Sequence, residues 1–297
     1  MTPRTTVFFI AEGPHLTAQA TLLAASLRFH NGHAFDILAY VPGTDAISAP
    51  ARAAFDHLSV TVEPLKTNPG LWKLPYPHGN KIFACAAPRA PGTHVFLDSD
   101  MVCVAPLDFT DIAPPGTVAM VPEGTPTWGK GNDRWNRVYA HFNLAMPTDR
   151  VHLVRRRRIE YLPYFNAGMV AFDGATGANG RGFGQLWLDT AHEIDQQVSV
   201  ARKRPWLDQI ALPVTLKRYG LGYNVLPDAW NFSISERPYE PDARPRLIHY
   251  HSFRYSTLWP QVRTEIARMA DTLGPAHMAA LTPIYGDHWF RQPEDAV

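Results

Sequence analysis

The run His94-Val95-Phe96-Leu97-Asp98-Ser99-Asp100-Met101-Val102 changes character twice within nine residues. Val95, Phe96 and Leu97 read as the end of a buried strand. Two carboxylates one serine apart follow, and then apolar residues resume. Charges are seldom buried unless they are paired or bind a metal. The carboxyl end of a strand is also where α/β sheets place their ligands. Asp98 and Asp100 can there offer oxygens to a hard divalent cation, which in turn can hold a diphosphate. The same spacing suits a β-turn rich in Asp and Ser, so other clusters have to decide.

Four such clusters occur. Lys81 opens a helix that feeds the Asp98/Asp100 strand, although a lysine there can also simply be solvated. Asn166 and Gly168 interrupt an apolar strand, as a close ligand approach or a plain bulge would require. Asp208 and Gln209 stand at a helix start, where capping is the ordinary role of an aspartate. His249 and His251 end a second apolar strand, and either can be a hydrogen-bonded structural histidine.

The elements that must position these residues follow from periodicity. Strands are expected over 6–11, 35–41, 59–62 and 94–97, separated by helices over 16–29, 46–58 and 80–87. This βαβ rhythm implies a mostly parallel sheet flanked by helices. Further on, strands are expected over 118–121, 164–172 and 246–250, and helices over 183–198, 206–219 and 259–273. The second of these helices carries Pro213, a candidate kink. No repeat or linker is visible, so one domain spanning 1–297 is expected, its nucleotide-binding half ending near 105. Ala11-Glu12-Gly13-Pro14-His15 replaces the Gly-rich dinucleotide fingerprint after the first strand, and a Walker loop is missing.

Composition narrows the function further. A net charge of +1 gives no electrostatic case for nucleic acid. The two cysteines, Cys85 and Cys103, are expected to be reduced and buried, which suits a cytoplasmic protein. No apolar run is long enough for a transmembrane segment, leaving peripheral membrane contact open. Most of the eight tryptophans are expected in the core. The four arginines at 155–158 suit a solvated face or an anionic acceptor.

The order Lys81, Leu97-Asp98-Ser99-Asp100, Phe165-Asn166-Ala167-Gly168, Asp208-Gln209 and His249-Tyr250 resembles the glycogenin and bacterial galactosyltransferase-like group of retaining glycosyltransferases. The resemblance spans roughly 7–251 and implies the GT-A fold, a Rossmann-like nucleotide-diphospho-sugar transferase. It implies that Asp98, Asp100 and His249 hold Mn²⁺ or Mg²⁺. By the same resemblance Ile10, Ala11, Glu12 and Leu16 hold the nucleoside, and Lys81 lies beside the donor. Asn166, Ala167, Gly168, Asp208 and Gln209 line the donor sugar, with Asp208 and Gln209 as the candidate catalytic pair.

One segment departs from the group. After the His-Tyr pair its members continue x-Gly-x-x-Lys-Pro-Trp, whereas this chain reads His251-Ser252-Phe253-Arg254-Tyr255-Ser256. Arg254, one position displaced, is the candidate replacement for the phosphate-binding lysine. The expected activity is transfer of a hexose from a nucleotide-sugar, UDP-glucose or UDP-galactose, to an acceptor hydroxyl on a carbohydrate, lipid-linked or protein partner. A sugar nucleotidyltransferase and a non-catalytic sugar-nucleotide-binding protein are the alternatives. Acceptor contacts are expected from 128–132, 155–158 and 251–259.

Overall fold

A computed structural model describes residues 4–43, 47–155, 159–256 and 258–290. Its elements run β1 (Arg4–Ile10), α1 (Gly13–Asn31), β2 (Asp36–Pro42), α2 (Ala49–His57) and β3 (Val60–Leu65), then α3 (Asn80–Ala86), β4 (Gly92–Leu97), β5 (Met101–Cys103) and β6 (Thr117–Pro122). There follow α4 (Arg134–His141), two-residue strands β7 (Val151–His152) and β8 (Glu160–Tyr161), β9 (Phe165–Asp173), and the short hairpin β10 (Gly177–Ala178) and β11 (Arg181–Gly182). The last third holds α5 (Phe183–Gln197), α6 (Leu207–Tyr219), β12 (Gly222–Val225), β13 (Phe232–Ser233), β14 (Leu247–His249), α7 (Phe253–Ser256) and α8 (Pro260–Trp289). The chain forms two compact units, one of Arg4–Leu65, Leu97–Phe109 and Ala229–Val297, the other chiefly of Lys66–Phe96 and Thr110–Asp228.

In the first unit β1, β2 and β3 lie side by side and parallel, with Val7 opposite Ile37 and Leu38 opposite Thr61. Val7, Phe8 and Phe9 are fully buried, as near-continuous apolar strands covered on both faces should be. From Thr17 to Arg28 every residue of α1 is buried, so this helix lies inside the unit rather than on its surface. The Arg28 guanidinium clamps the following turns, donating to the carbonyls of Leu58, Gly32, Phe35 and Ser59 at 2.7–3.0 Å. A second, smaller sheet lies in the same unit: β14 pairs antiparallel with β5 and parallel with β13.

In the other unit the strand order is β12-β6-β9-β4. β12 runs parallel to β6, and β6 runs antiparallel to β9. Helices α3 and α5 approach closely at Gly184, where a Cβ would lie 2.1 Å from the Cys85 carbonyl oxygen; only glycine fits. Three of the four registered pairs among the long strands are parallel, giving the expected mixed, mostly parallel, helix-flanked α/β class.

Several boundaries differ from the sequence reading. α1 starts at Gly13, three residues early, because Gly13 takes φ +56° and Pro14 suits a first helical turn. The last helix runs to Trp289, past the expected end at 273, breaking at Gly274 (φ 76°, ψ 162°). Beyond that break Leu281, Tyr285 and Trp289 recur at helical spacing and are buried. The Trp289 indole donates to the Ala18 carbonyl at 3.0 Å. α4 and β12 had no expected counterpart, and the start of the helix expected over 46–58 falls outside the described residues. α6 continues through Pro213. No helix among the described residues is long and apolar enough to cross a membrane.

Candidate functional site

The pairing of β14 with β5 places His249 opposite Met101 and Ile248 opposite Val102. The Tyr250 amide continues the ladder by donating to the Asp100 carbonyl at 3.0 Å. This register carries His249 to the Asp-Ser-Asp turn across nearly 150 residues of sequence. His249 Nε2 lies 3.1 Å from Asp100 Oδ1 and 4.0 Å from Asp98 Oδ2. Its Nδ1 meets Asn231 Oδ1 at 2.9 Å. The Asn231 amide oxygen can only accept, so Nδ1 donates, which fixes the proton there and leaves the Nε2 lone pair facing the carboxylates.

The second imidazole joins the same group. His251, in a left-handed conformation at φ 56°, puts Nδ1 4.0 Å from Asp100 Oδ2. Its Nε2 is 3.0 Å from the Ser233 hydroxyl. Ligand atoms of Asp100, His249 and His251 all lie within 4.8 Å of one another. The ligand set expected from sequence holds Asp98, Asp100 and His249; His251, Asn231 and Ser233 are additions made by the structure. The available signal is the two-residue spacing of Asn231 and Ser233 at β13, the strand that pairs with β14. The Asp98/Asp100 turn is also anchored below, since the buried Ser99 hydroxyl donates to the carbonyl of Ile10. Two carboxylates and an imidazole with an oriented lone pair form a donor set that suits Mn²⁺ or Mg²⁺.

Lys81 and Asp208 meet in the other unit. Lys81 Nζ lies 3.2 Å from Asp208 Oδ2, with both side chains less than a tenth exposed. The Lys81 ammonium also donates to the Ala167 carbonyl at 3.3 Å. Tyr76 donates its hydroxyl hydrogen to Asp208 Oδ1 at 2.8 Å and accepts the Asp208 amide at 2.9 Å. Burial first, and then the Asp208 charge, hold the Tyr76 hydroxyl well above the ordinary phenol range, so it stays a donor. Lys81 is therefore neither solvated nor an unengaged cation. Asp208 lies in the first turn of α6, whose N-cap position is held by Trp206 without a side-chain capping bond. Gln209 differs from its neighbour: its Oε1 is buried and has no hydrogen-bond partner among the described residues.

β9 is irregular where Asn166 and Gly168 stand. Val121 pairs with Asn166 while the preceding Met120 pairs with Val170, leaving Ala167, Gly168 and Met169 as a bulge. The Asn166 side chain holds this bulge, accepting from the Gly168 amide at 2.8 Å and donating to Glu123 at 3.0 Å. At the end of β1, Ile10 and Ala11 are buried, with Ala11 donating to the Tyr40 carbonyl at 2.8 Å; Glu12 and Leu16 are half-buried. Arg254 is exposed on α7 and donates to the Tyr255 hydroxyl at 2.6 Å. Of the expected acceptor elements, Trp128 is fully buried edge-on against Trp135 and so offers no stacking face. Three of the four arginines at 155–158 lie outside the described residues.

Residues 7–220 match the model of the Rhodobacterales glycosyltransferase domain. The chain belongs to that family. It is a glycosyltransferase, and its fold is that of the GT-A enzymes. WbbM, described as a bifunctional glycosyltransferase, superposes with a TM-score of 0.57 at 15% identity over 94% of this chain. The chain spans about half of WbbM, 51% of its length. An active-site glutamine-to-glutamate mutant of LgtC gives 0.57 at 14% identity, covering 92% of this chain and 99% of that one. LgtC galactosyltransferase in complex with donor and acceptor sugar analogues gives 0.54 at 14% identity, over 93% and 99%. No functionally curated protein matches in sequence.

Proposed function

We propose that this glycosyltransferase is metal-dependent and moves a hexose from UDP-glucose or UDP-galactose to an acceptor hydroxyl, with retention of anomeric configuration. The convergence of Asp98 and Asp100 with the Nε2 of His249 carries the reading. Those three side chains would hold Mn²⁺ or Mg²⁺, and the bound ion would supply positive charge against the diphosphate that leaves. LgtC, crystallised with donor and acceptor sugar analogues, makes galactose the first donor to try.

The chain's own residues divide the remaining work. Ile10, Ala11, Glu12 and Leu16 are assigned to the nucleoside, and Arg254 to the diphosphate. Asn166 through Gly168, shaped by the bulge, are assigned to the sugar hydroxyls. Asp208 is neutralised by Lys81 and fixed by Tyr76, so it serves as a positioning group rather than a base. Gln209 presents an unsatisfied buried oxygen, suited to accepting a hydroxyl or an anomeric-side hydrogen bond. An amide is a poor nucleophile, which favours attack by the acceptor on the face the diphosphate leaves. Two buried free thiols are in keeping with a reducing, cytoplasmic setting.

Incubation with Mn²⁺ and a panel of nucleotide-sugars, followed by assay of released nucleotide and by binding calorimetry, tests the reading. Release or metal-dependent binding of UDP supports it. Pyrophosphate release, or no metal-dependent binding of any nucleotide-sugar, contradicts it.

A further inference from the structure

We propose that His251 is a further protein ligand of the cation site, so that this chain brings two imidazoles, His249 and His251, to the carboxylates of Asp98 and Asp100. The inference rests on the metal-dependent reading above and extends its ligand set.

Distances carry the argument. The 4.0 Å between His251 Nδ1 and Asp100 Oδ2 is too long for a hydrogen bond. Two atoms bound to one ion through bonds of roughly 2.0–2.2 Å lie about 3–4 Å apart, depending on the bond angle. The 3.1 Å between His249 Nε2 and Asp100 Oδ1 falls in the same window. Each oxygen of Asp100 therefore faces one imidazole nitrogen, at separations that one shared ion accounts for.

Orientation is built in as well. Asn231 fixes the far nitrogen of His249, and Ser233 meets the far nitrogen of His251 at 3.0 Å. Both partners are two residues apart around β13, and both imidazoles two residues apart around β14. Parallel pairing of the strands sets Ser233 opposite His249. With Nε2–H donated to Ser233, the His251 Nδ1 lone pair turns toward Asp100. Metal-binding histidines are commonly fixed in this way by a group on the remaining nitrogen. The backbone at His251 is left-handed, a conformation in which histidine, like asparagine and aspartate, is enriched among non-glycine residues, and its ring lies against that of His249 with centroids 3.7 Å apart.

A second nitrogen ligand changes which ions the site prefers. Imidazole favours Co²⁺, Zn²⁺ and Fe²⁺, whereas Mg²⁺ prefers an all-oxygen shell. Titration of the whole protein with Co²⁺, followed by visible absorption, and with Mg²⁺, followed by calorimetry, tests this without any turnover. His251→Asn and His251→Gly both tolerate the left-handed backbone. Each is expected to weaken Co²⁺ binding about tenfold or more, to change the Co²⁺ spectrum, and to leave Mg²⁺ affinity within roughly threefold. Wild-type Co²⁺ affinity and spectrum in both variants, with binding lost in Asp100→Asn, would overturn the role of His251 and leave the cation site standing. Unchanged Co²⁺ binding in Asp100→Asn, His249→Asn and His251→Asn alike would overturn the cation site itself.

Discussion

Lys81 Nζ sits 3.2 Å from Asp208 Oδ2 in a pair almost sealed from solvent. The basic residue of the helix that leads to the Asp98/Asp100 strand is thus engaged with the acidic residue of the Asp-Gln pair. A buried ion pair contributes little net stability when intact, because desolvation offsets attraction, but a lone survivor is costly. Replacing Lys81 by Met should therefore destabilise the fold by about 3–5 kcal/mol. Adding Asp208→Asn, which removes the stranded charge, should restore much of that loss. Urea unfolding of the wild type and the two variants measures both effects.

Gln209 should behave in the opposite way. Its buried Oε1 makes no hydrogen bond among the described residues, so Gln209→Ala breaks none of theirs. Stability should stay within about 0.5 kcal/mol, while transfer falls about 10²-fold, the usual scale for losing one well-placed polar contact to a transition state. Melting temperature and single-turnover rate, measured on one preparation, separate the two.

Asn231 is buried and bonded to His249 Nδ1 at 2.9 Å. Asn231→Ala should leave the ring free to rotate and weaken Mn²⁺ binding 10–100-fold or so, as loss of such orienting groups commonly does. Calorimetric titration reads this directly. Unchanged affinity would remove Asn231 from the site.

Burial is the main force holding the His94 imidazole below its ordinary value of 6.5. The unfolded chain therefore takes up this proton first as pH falls, and stability drops below about pH 6.5 as protons bind preferentially to the unfolded state. His94 also stacks edge-on against Phe172, at 5.4 Å between centroids. Melting temperature should decline from pH 7 to 5, and His94→Gln should flatten part of that slope.

The legibility of the chain differed by scale. Strands such as Arg4–Ile10 and Phe165–Asp173 announce themselves because a strand covered on both faces must be apolar throughout. Asp98, Asp100 and His249 were legible because each ends such a run in a charge or imidazole. His251 was not assignable, since its reach to Asp100 depends on a left-handed backbone and on Ser233, neither visible in local spacing. Lys81 and Asp208 were both picked out, yet their mutual burial was hidden; Tyr76, the third member, lies among prolines that read as a loop. Trp128 is packed for a related reason: Gly129 at φ 78° lets Trp135 close over it, an arrangement that composition does not reveal.

Calorimetric titration of UDP into the protein, with Mn²⁺ and again with EDTA, bears most directly on the whole account. Tight binding in the presence of the ion is predicted, falling at least tenfold or so without it and equally in Asp100→Asn. UDP affinity that ignores both the chelator and the substitution would mean that the two acids and the imidazole do not gather the donor.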